Sequence, residues 1–178
     1  MKMVFVTIAC FALGGMPSET RTEEWTQFRG RDFMRTSVKN IAPQWNSEGI
    51  AWKTPLPGRG ASSPVVFNDH VYLTAFTGYA IDGREPGDPS KLVRHLLCYD
   101  VNTGEQLWQQ SVPDSSEKDP FSTWGTAKAG YASSSAAVDA SGASVLFGAT
   151  GVLAFSHDGR QRWRTFCGDD THEYPAGT

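Results

Sequence analysis

Short apolar runs with a period of two residues, each bounded by a turn, dominate the chain after its first third. One run at 61–67 is followed by a turn and a second run at 71–74, and the pair at 132–138 and 145–147 has the same arrangement. Alternation of this kind predicts half-buried strands, whereas apolar residues at helical spacing would predict amphipathic helices. Because no convincing amphipathic helix is present, we predict an all-β chain.

Two glycines and three tryptophans recur at one interval. Gly104 and Gly159 are 55 residues apart, as are Trp108 and Trp163, and Trp52 precedes Trp108 by 56. Each glycine falls in a short polar turn, where it supplies the positive φ angle that a tight hairpin requires. The recurrence indicates an internal structural repeat.

Each repeat has the order strand, turn, strand, connection, strand, glycine turn and strand carrying tryptophan. Four short antiparallel strands in about 45–55 residues match the size of one β-propeller blade. We therefore predict a partial β-propeller of about two four-stranded antiparallel blades plus an orphan outer strand. The predicted segments are a signal peptide at 1–18, an N-terminal extension at 23–48, an orphan outer strand of the ring-closing type at 49–57, blade 1 at 61–113, an inter-blade loop at 114–130, blade 2 at 131–168 and a tail at 169–178.

The N-terminal residues have the character of a secretory signal peptide. Lys2 precedes an uncharged, mostly apolar run over 3–15, and Pro17 follows it. The run is too short to span a bilayer, and a buried first strand is the alternative. We expect a periplasmic or secreted protein with no membrane insertion after signal removal.

Composition, net charge and the cysteines limit the classes of partner and of covalent structure that the chain can have. A net charge of -3 gives no reason to expect a nucleic-acid partner. The 18 glycines and 10 prolines suit a turn-rich β protein. Cys10 would leave with the signal peptide, while Cys98 and Cys167 lack metal-ligand spacing and are either a disulfide or two free thiols.

One stretch carries a complete nine-residue motif. From Asp100 to Trp108 the sequence follows Asp-x-x-Thr-Gly-x-x-x-Trp, with Thr103 and Gly104 in the turn. The second copy is one residue shorter and has Ser156 at the aspartate position, but it keeps the glycine and the tryptophan.

This motif resembles the repeat of the propeller proteins with pyrroloquinoline-quinone-like repeats. The segment Trp-Thr-Gln-Phe-Arg-Gly at 25–30 is similar to the opening of uncharacterised secreted members, and the resemblance extends over about 23–168. The family includes quinoprotein alcohol dehydrogenases and the propeller lipoprotein of the bacterial outer-membrane assembly machinery. The resemblance is therefore specific for the fold and not for an activity.

The resemblance implies that each repeat tryptophan stacks between adjacent blades. A blade must bury its flat faces against its neighbours, and tryptophan supplies a large apolar surface for that contact. We therefore expect structural repeat roles for Trp52, Trp108, Trp163, Gly104, Gly159, Asp100 and Thr103.

Two blades do not make a closed ring. Propellers have about 4–8 blades, so the outer faces of both blades are expected to lack partners. The segment carrying Trp52 resembles the outermost strand of a blade whose other strands are missing. We expect a truncated product or fragment whose complete form needs on the order of 200–300 further residues.

The sequence assigns no catalytic, cofactor-binding or metal-ligating residue. Quinoprotein dehydrogenases hold a quinone and Ca²⁺ in the ring centre and carry an adjacent Cys-Cys pair, which this sequence lacks. Pyrroloquinoline quinone and calcium are therefore expected only in a complete parent protein. The acidic stretch at 169–173 is more typical of a solvated tail than of a metal site, and the serines at 133–135 lack the Gly-x-Ser-x-Gly pattern of a nucleophile.

Two functions remain open. The first is a non-catalytic repeat module outside the cytoplasm, which acts as a scaffold or binds an unknown protein or carbohydrate partner. The alternative is a fragment of a quinoprotein alcohol dehydrogenase-like oxidoreductase, and it rests on family analogy alone.

Overall fold

Two antiparallel sheets of four strands each form the fold. The computed structural model describes residues 24–30, 44, 46–81, 87–113 and 131–167. Within these residues the only helical elements are three short 3₁₀ turns. In each sheet the strands lie side by side in chain order, as in a propeller blade. The prediction of an all-β chain with two propeller-type blades is confirmed.

Blade 1 has a longer second and third strand than blade 2. Its strands are β1 Val65–Phe67, β2 His70–Thr77, β3 Val93–Asp100 and β4 Gln106–Pro113. The strands of blade 2 are β5 Ala137–Asp139, β6 Gly142–Leu146, β7 Val152–Phe155 and β8 Gln161–Thr165. The 3₁₀ turns are Ser47–Gly49, Pro89–Lys91 and Gly148–Thr150.

The two blades share one register irregularity. In blade 1, Cys98 pairs with Trp108 while the next residue of β3 pairs with Gln106, so Leu107 has no opposite residue. Blade 2 has the same shift, with Ala154 opposite Trp163. A bulge of this kind re-aims the side chains beside it, and here it immediately precedes the repeat tryptophan in both blades.

A continuous apolar core joins the two blades. Blade 1 contributes Val65, Tyr72, Leu96, Cys98 and Val112 to this core. The residues from the blade 2 side are Ala136, Val138, Ala143, Val145, Phe147, Leu153 and Phe155. Blade 1 is therefore packed face to face against blade 2.

Blade 1 also buries apolar side chains on its other face. Leu97 and Tyr99 alternate with the core residues along β3 and form a separate buried cluster with Val71 and Ala75. A sheet that is buried on both faces has a nearly continuous apolar strand instead of a polar and apolar alternation. This explains the run of buried residues in β3.

The inner strands of the blades lie next to each other, and the N-terminal residues link them. β1 and β5 are in contact, and Ser63 N–H donates to the Ser135 hydroxyl at 2.9 Å. Trp25 exchanges both backbone hydrogen bonds with Val66 of β1, while Val138 of β5 donates to the Thr26 carbonyl at 2.8 Å. Residues 25 and 26 thus bridge the two blades.

The predicted orphan strand belongs to neither sheet. Residues 51–56 make no backbone hydrogen bond to a strand within the described part of the chain. The structure therefore assigns no strand there, because a β-strand is defined by pairing with a neighbour. The predicted signal peptide, the inter-blade loop, the tail and Cys10 lie outside the described residues.

No helix among the described residues has the length and apolar character needed to cross a membrane.

Cys98 and Cys167 are both free thiols. Cys98 lies in the core between the blades, and burial raises the pKa of its thiol to about 12. Cys167 is exposed after the last strand. Of the two alternatives left open by the sequence, the structure contains the unpaired one.

This difference in burial predicts selective labelling. A thiol-specific reagent at pH 8 should modify Cys167 in the native chain and reach Cys98 only after unfolding, because the reactive species is the thiolate. Mass spectrometry of the native Cys10→Ser chain should show one label. Adding Cys167→Ser to this chain should abolish the label, whereas adding Cys98→Ser should leave it in place. Equal native labelling of both thiols, or none because they are oxidised together, would contradict the structure.

Candidate functional site

The contact between the blades is centred on the indole of Trp108. This residue comes from the last strand of blade 1, and its Nε1–H donates to the His157 carbonyl of blade 2 at 2.8 Å. The indole lies directly on Gly159, in the turn between β7 and β8. We call the Gly159 backbone and the His157 carbonyl together the Gly159 slot.

Trp52 makes the same contact with blade 1. Its Nε1–H donates to the Val101 carbonyl at 2.8 Å, and its ring lies on Gly104 between β3 and β4. The Thr54 hydroxyl adds a hydrogen bond to the Gly104 carbonyl at 2.5 Å. We call the Gly104 backbone and the Val101 carbonyl the Gly104 slot.

Each slot requires glycine for two reasons. Gly104 and Gly159 have φ angles of 71° and 85°, which disfavour any residue with a side chain. A Cβ at Gly159 would also lie 2.9 Å from Cδ2 of Trp108, and one at Gly104 would lie closer still to Trp52. Glycine at each of these two positions thus permits both the positive φ angle of the turn and the close approach of the indole.

Side chains of the motif hold the first turn in shape. The Asp100 carboxylate accepts hydrogen bonds from the backbone N–H groups of Thr103 at 2.8 Å and Asn102 at 2.9 Å, and from the Thr103 hydroxyl. The Thr103 N–H, with smaller contributions from the other donors, lowers the pKa of Asp100. The aspartate and threonine therefore fix the turn that presents the Val101 carbonyl.

The shorter second turn achieves this shape with different side chains. The single hydroxyl hydrogen of Ser156 is shared between the Asp158 carboxylate and the Arg160 carbonyl. The Arg160 guanidinium also pairs with Asp158, with Nε at 2.7 Å from the carboxylate. The serine hydroxyl and then the guanidinium lower the pKa of Asp158 to about 2. Ser156 thus replaces the aspartate of the full motif.

Trp163 has no slot to fill among the described residues. It occupies the place in blade 2 that Trp108 occupies in blade 1, after the same bulge. Its partner across the strands, Ala154, lies on the face that points away from blade 1, and 45% of Trp163 remains exposed. Phe166 nearby is 58% exposed. The structure therefore leaves one repeat tryptophan displayed at the outer face of blade 2.

The sequence did not indicate that His157 belongs to this interface. Its ring stacks on Phe67 with 5.2 Å between centroids and an angle of 6°. Its Nδ1 lies 2.7 Å from the Tyr72 hydroxyl and its Nε2 lies 3.0 Å from the Asp139 carbonyl. Because a carbonyl only accepts, Nε2 carries a hydrogen and donates it to Asp139. The only sequence signal was its place in the His-Asp-Gly turn.

A second polar group lies on the opposite face of blade 1. His95 Nε2 is 2.8 Å from the Thr77 hydroxyl, and Nδ1 is 3.0 Å from the Ser111 hydroxyl and 3.2 Å from the Gln109 amide nitrogen. Since the amide nitrogen donates, Nδ1 is an acceptor and the imidazole is neutral. Burial lowers the pKa of His95 in the same direction.

The buried Arg94 of β3 connects blade 1 to the segment that precedes β5 of blade 2. Its Nε donates to the Tyr131 carbonyl at 3.0 Å, and its guanidinium lies 5.9 Å from the centroid of the Tyr131 ring. Thr74 of β2 also donates to the Ser134 carbonyl at 3.1 Å. These contacts hold segment 131–135 against blade 1, so we assign this segment a structural role.

Other candidates from the sequence are placed as follows. The acidic stretch 169–173 lies outside the described residues. In the part of the chain that is described, no three His, Cys, Asp or Glu side chains gather in a way that could hold a metal ion. Of the seven residues assigned to the repeat, Gly104, Gly159, Trp52 and Trp108 form the slot contacts, and Asp100 and Thr103 hold the first turn. Trp163 contacts no slot among the described residues.

Comparison with known proteins adds a family to this geometry. A model of pyrroloquinoline-quinone-like repeats, described as outer membrane protein assembly factor BamB, matches residues 29–176. The match covers well over half of the 178 residues. Among curated proteins, a search with this sequence gives no match.

A glycine comparison tests the slot directly. Gly159→Ala and Gly87→Ala both place alanine at a positive φ angle, of 85° and 81° respectively, which costs about 1–2 kcal/mol in each case. Only Gly159→Ala also drives a methyl group into an indole, since nothing lies within 4 Å of a Cβ at Gly87. We expect Gly159→Ala to lose a further ~1–3 kcal/mol of unfolding free energy. Urea unfolding followed by circular dichroism measures this difference, and equal losses would contradict the proposed contact.

His95 predicts a pH dependence of stability. Because its pKa is lowered in the folded chain, the unfolded chain binds a proton first as the pH falls below about 6.5, and this lowers stability until the native pKa is reached. His95→Gln should therefore reduce the loss of unfolding free energy between pH 7.5 and pH 5, measured with urea. Ser111→Ala keeps the imidazole and should retain the loss. An unchanged slope in His95→Gln would contradict this role.

Proposed function

Because the chain belongs to the family of pyrroloquinoline-quinone-like repeat propellers whose model is described as outer membrane protein assembly factor BamB, we propose that it is a non-catalytic β-propeller module that binds a protein partner outside the cytoplasm. The description names an assembly factor, which suggests an interaction role for this chain. The observation that carries the proposal is the exposed indole of Trp163 at the outer face of blade 2.

Trp108 indicates what kind of partner this indole suits. The equivalent residue in blade 1 buries its ring on a glycine turn and donates its N–H to a carbonyl of that turn. Trp163 has the same position and bulge. We infer that the partner is a β-rich protein that offers a glycine turn with a free carbonyl. Large exposed aromatic residues are also typical anchors of protein interfaces.

The rest of that face fits such a partner. The residues of this face that lie in register on β6, β7 and β8 are uncharged, and they are Ser144, Leu146, Val152, Ala154, Trp163 and Thr165. The exposed bulge residue Arg162 precedes Trp163 in β8. Another sheet can cover this face without burying a charge that would need a partner.

The location outside the cytoplasm rests on the N-terminal sequence. Lys2 and the apolar run over 3–15 support a signal peptide. The alternative of a quinoprotein alcohol dehydrogenase-like oxidoreductase rests on family analogy, and no contact among the described residues specifically favours it.

Site-specific crosslinking tests the proposed function. A photo-crosslinking amino acid at Phe166 should capture a defined protein in the source organism, whereas one at Phe28, which is 56% exposed at the other end of the chain, should not. The purified partner should then bind the wild-type chain at least about tenfold more tightly than Trp163→Ala, as expected for a buried aromatic anchor.

Three results would contradict the proposal. These are equal affinity of the wild type and Trp163→Ala, capture of a carbohydrate instead of a protein, and alcohol oxidation by the chain supplied with pyrroloquinoline quinone and Ca²⁺. The last result would support the oxidoreductase alternative.

A further inference from the structure

We propose that Ser111 is a reactive nucleophile that accepts a small acyl group from an activated ester, with His95 as its base. The two residues lie on the face of blade 1 that is opposite to blade 2. This activity goes beyond the protein-binding role proposed above and uses none of its residues, so the two proposals fail or succeed separately.

The register of blade 1 sets the serine beside the imidazole. Ser111 of β4 is directly opposite His95 of β3, and the Ser111 Oγ lies 3.0 Å from His95 Nδ1. This distance is within the range that a base needs to take a proton from a hydroxyl. Ser111 is exposed, whereas His95 is buried behind it. Among the described residues, a solute therefore meets the hydroxyl first.

Hydrogen bonds hold the imidazole in the form that a base requires. The Gln109 amide nitrogen donates to His95 Nδ1, so this nitrogen is an acceptor and the Ser111 hydroxyl can donate to it as well. The ring hydrogen is then on Nε2, which donates to the Thr77 hydroxyl of β2 at 2.8 Å. Nucleophile, base and orienting group thus form one line across three strands, which is the arrangement of an activated hydroxyl.

The surroundings of His95 keep its ring unprotonated. Burial lowers the pKa of this imidazole, and its hydrogen-bond partners Thr77, Gln109 and Ser111 are all uncharged. The ring is therefore neutral at pH 7 and free to take a proton.

Ser90 provides an internal comparison. It is also exposed, but its hydroxyl donates to the Asp88 carboxylate at 2.7 Å instead of to an imidazole. The hydrogen bond from Ser90 lowers the pKa of Asp88, which makes this carboxylate a much weaker base than imidazole. Ser90 should therefore lack the reactivity of Ser111.

The reaction is an acyl transfer from an ester to a serine. The Ser111 Oγ bonds to the acyl carbon while its proton passes to His95 Nδ1. The bond from the acyl carbon to the leaving oxygen then breaks, and His95 returns the proton to that oxygen. The Gln109 amide nitrogen, 3.1 Å from the Ser111 Oγ, can donate to the carbonyl oxygen as negative charge develops on it. Because these side chains are uncharged, the site suits a neutral acyl group.

Acetylation of the full chain by 4-nitrophenyl acetate tests the site. We expect peptide mass spectrometry to show acetyl-Ser111, and Ser90 should remain unmodified over the same time. His95→Gln should lower the rate of acetylation at Ser111 about 100-fold, at the lower end of what general-base catalysis contributes. Circular dichroism checks that each variant is folded.

The pH profile of this acetylation tests the positioning residue Thr77. The rate should fall as the pH drops through the native pKa of His95, which lies below about 6.5. Thr77→Val removes the oxygen that accepts from Nε2 and stabilises the protonated ring, so it should move the midpoint of the profile to lower pH. Thr77→Ser should restore the midpoint, whereas a merely structural Thr77 would leave it unchanged in both variants.

The proposal is overturned if Ser111 of the folded wild type is not acetylated, if Ser90 reacts as fast as Ser111, or if folded His95→Gln reacts at the wild-type rate. An unchanged midpoint in Thr77→Val would overturn the part assigned to Thr77.

Discussion

The fold depends on one contact, in which an indole N–H donates to a turn carbonyl while the ring lies on a glycine. It occurs twice in the described residues, with the same 2.8 Å distance. The contact explains the spacing of the tryptophans, since each must extend from the last strand of one unit to the turn of the next. It also explains the bulge before Trp108 and Trp163, which aims the ring out of its own sheet.

The second constraint is that a blade has two apolar faces. Successive residues of β3 enter different clusters, with Leu96 and Cys98 against blade 2 and Leu97 and Tyr99 on the opposite side. A single sheet of this kind exposes too much apolar surface to be stable by itself. Stacking is therefore a condition of folding, and the indole contact fixes the position in which the sheets stack.

Local sequence patterns predicted much of this architecture. Alternation and turn residues gave the strands, and the repeated glycines and tryptophans gave the blades. The sequence did not predict the stack of His157 on Phe67, the group around His95, or the bridging by Trp25 and Thr26. These contacts join residues far apart in the chain, and neither periodicity nor spacing specifies such pairs. The spacing of Trp52 from Trp108 located the orphan segment at 49–57 in the sequence. Whether that segment pairs as a strand depends on the strands that lie beside it, which its own sequence does not specify.

The two outer faces of the described pair of blades are not equivalent. At blade 1 a slot is already filled by a residue from the same chain, whereas at blade 2 an indole is displayed. Interfaces that join two different surfaces extend from copy to copy unless they close into a ring or one surface is blocked. The Trp52 ring fills the blade 1 slot with the same hydrogen bond and ring contact that join the two blades. One kind of contact therefore accounts for both outer faces of the described pair, because the slot is filled where the contact is made and the indole is exposed where no described slot lies beside it.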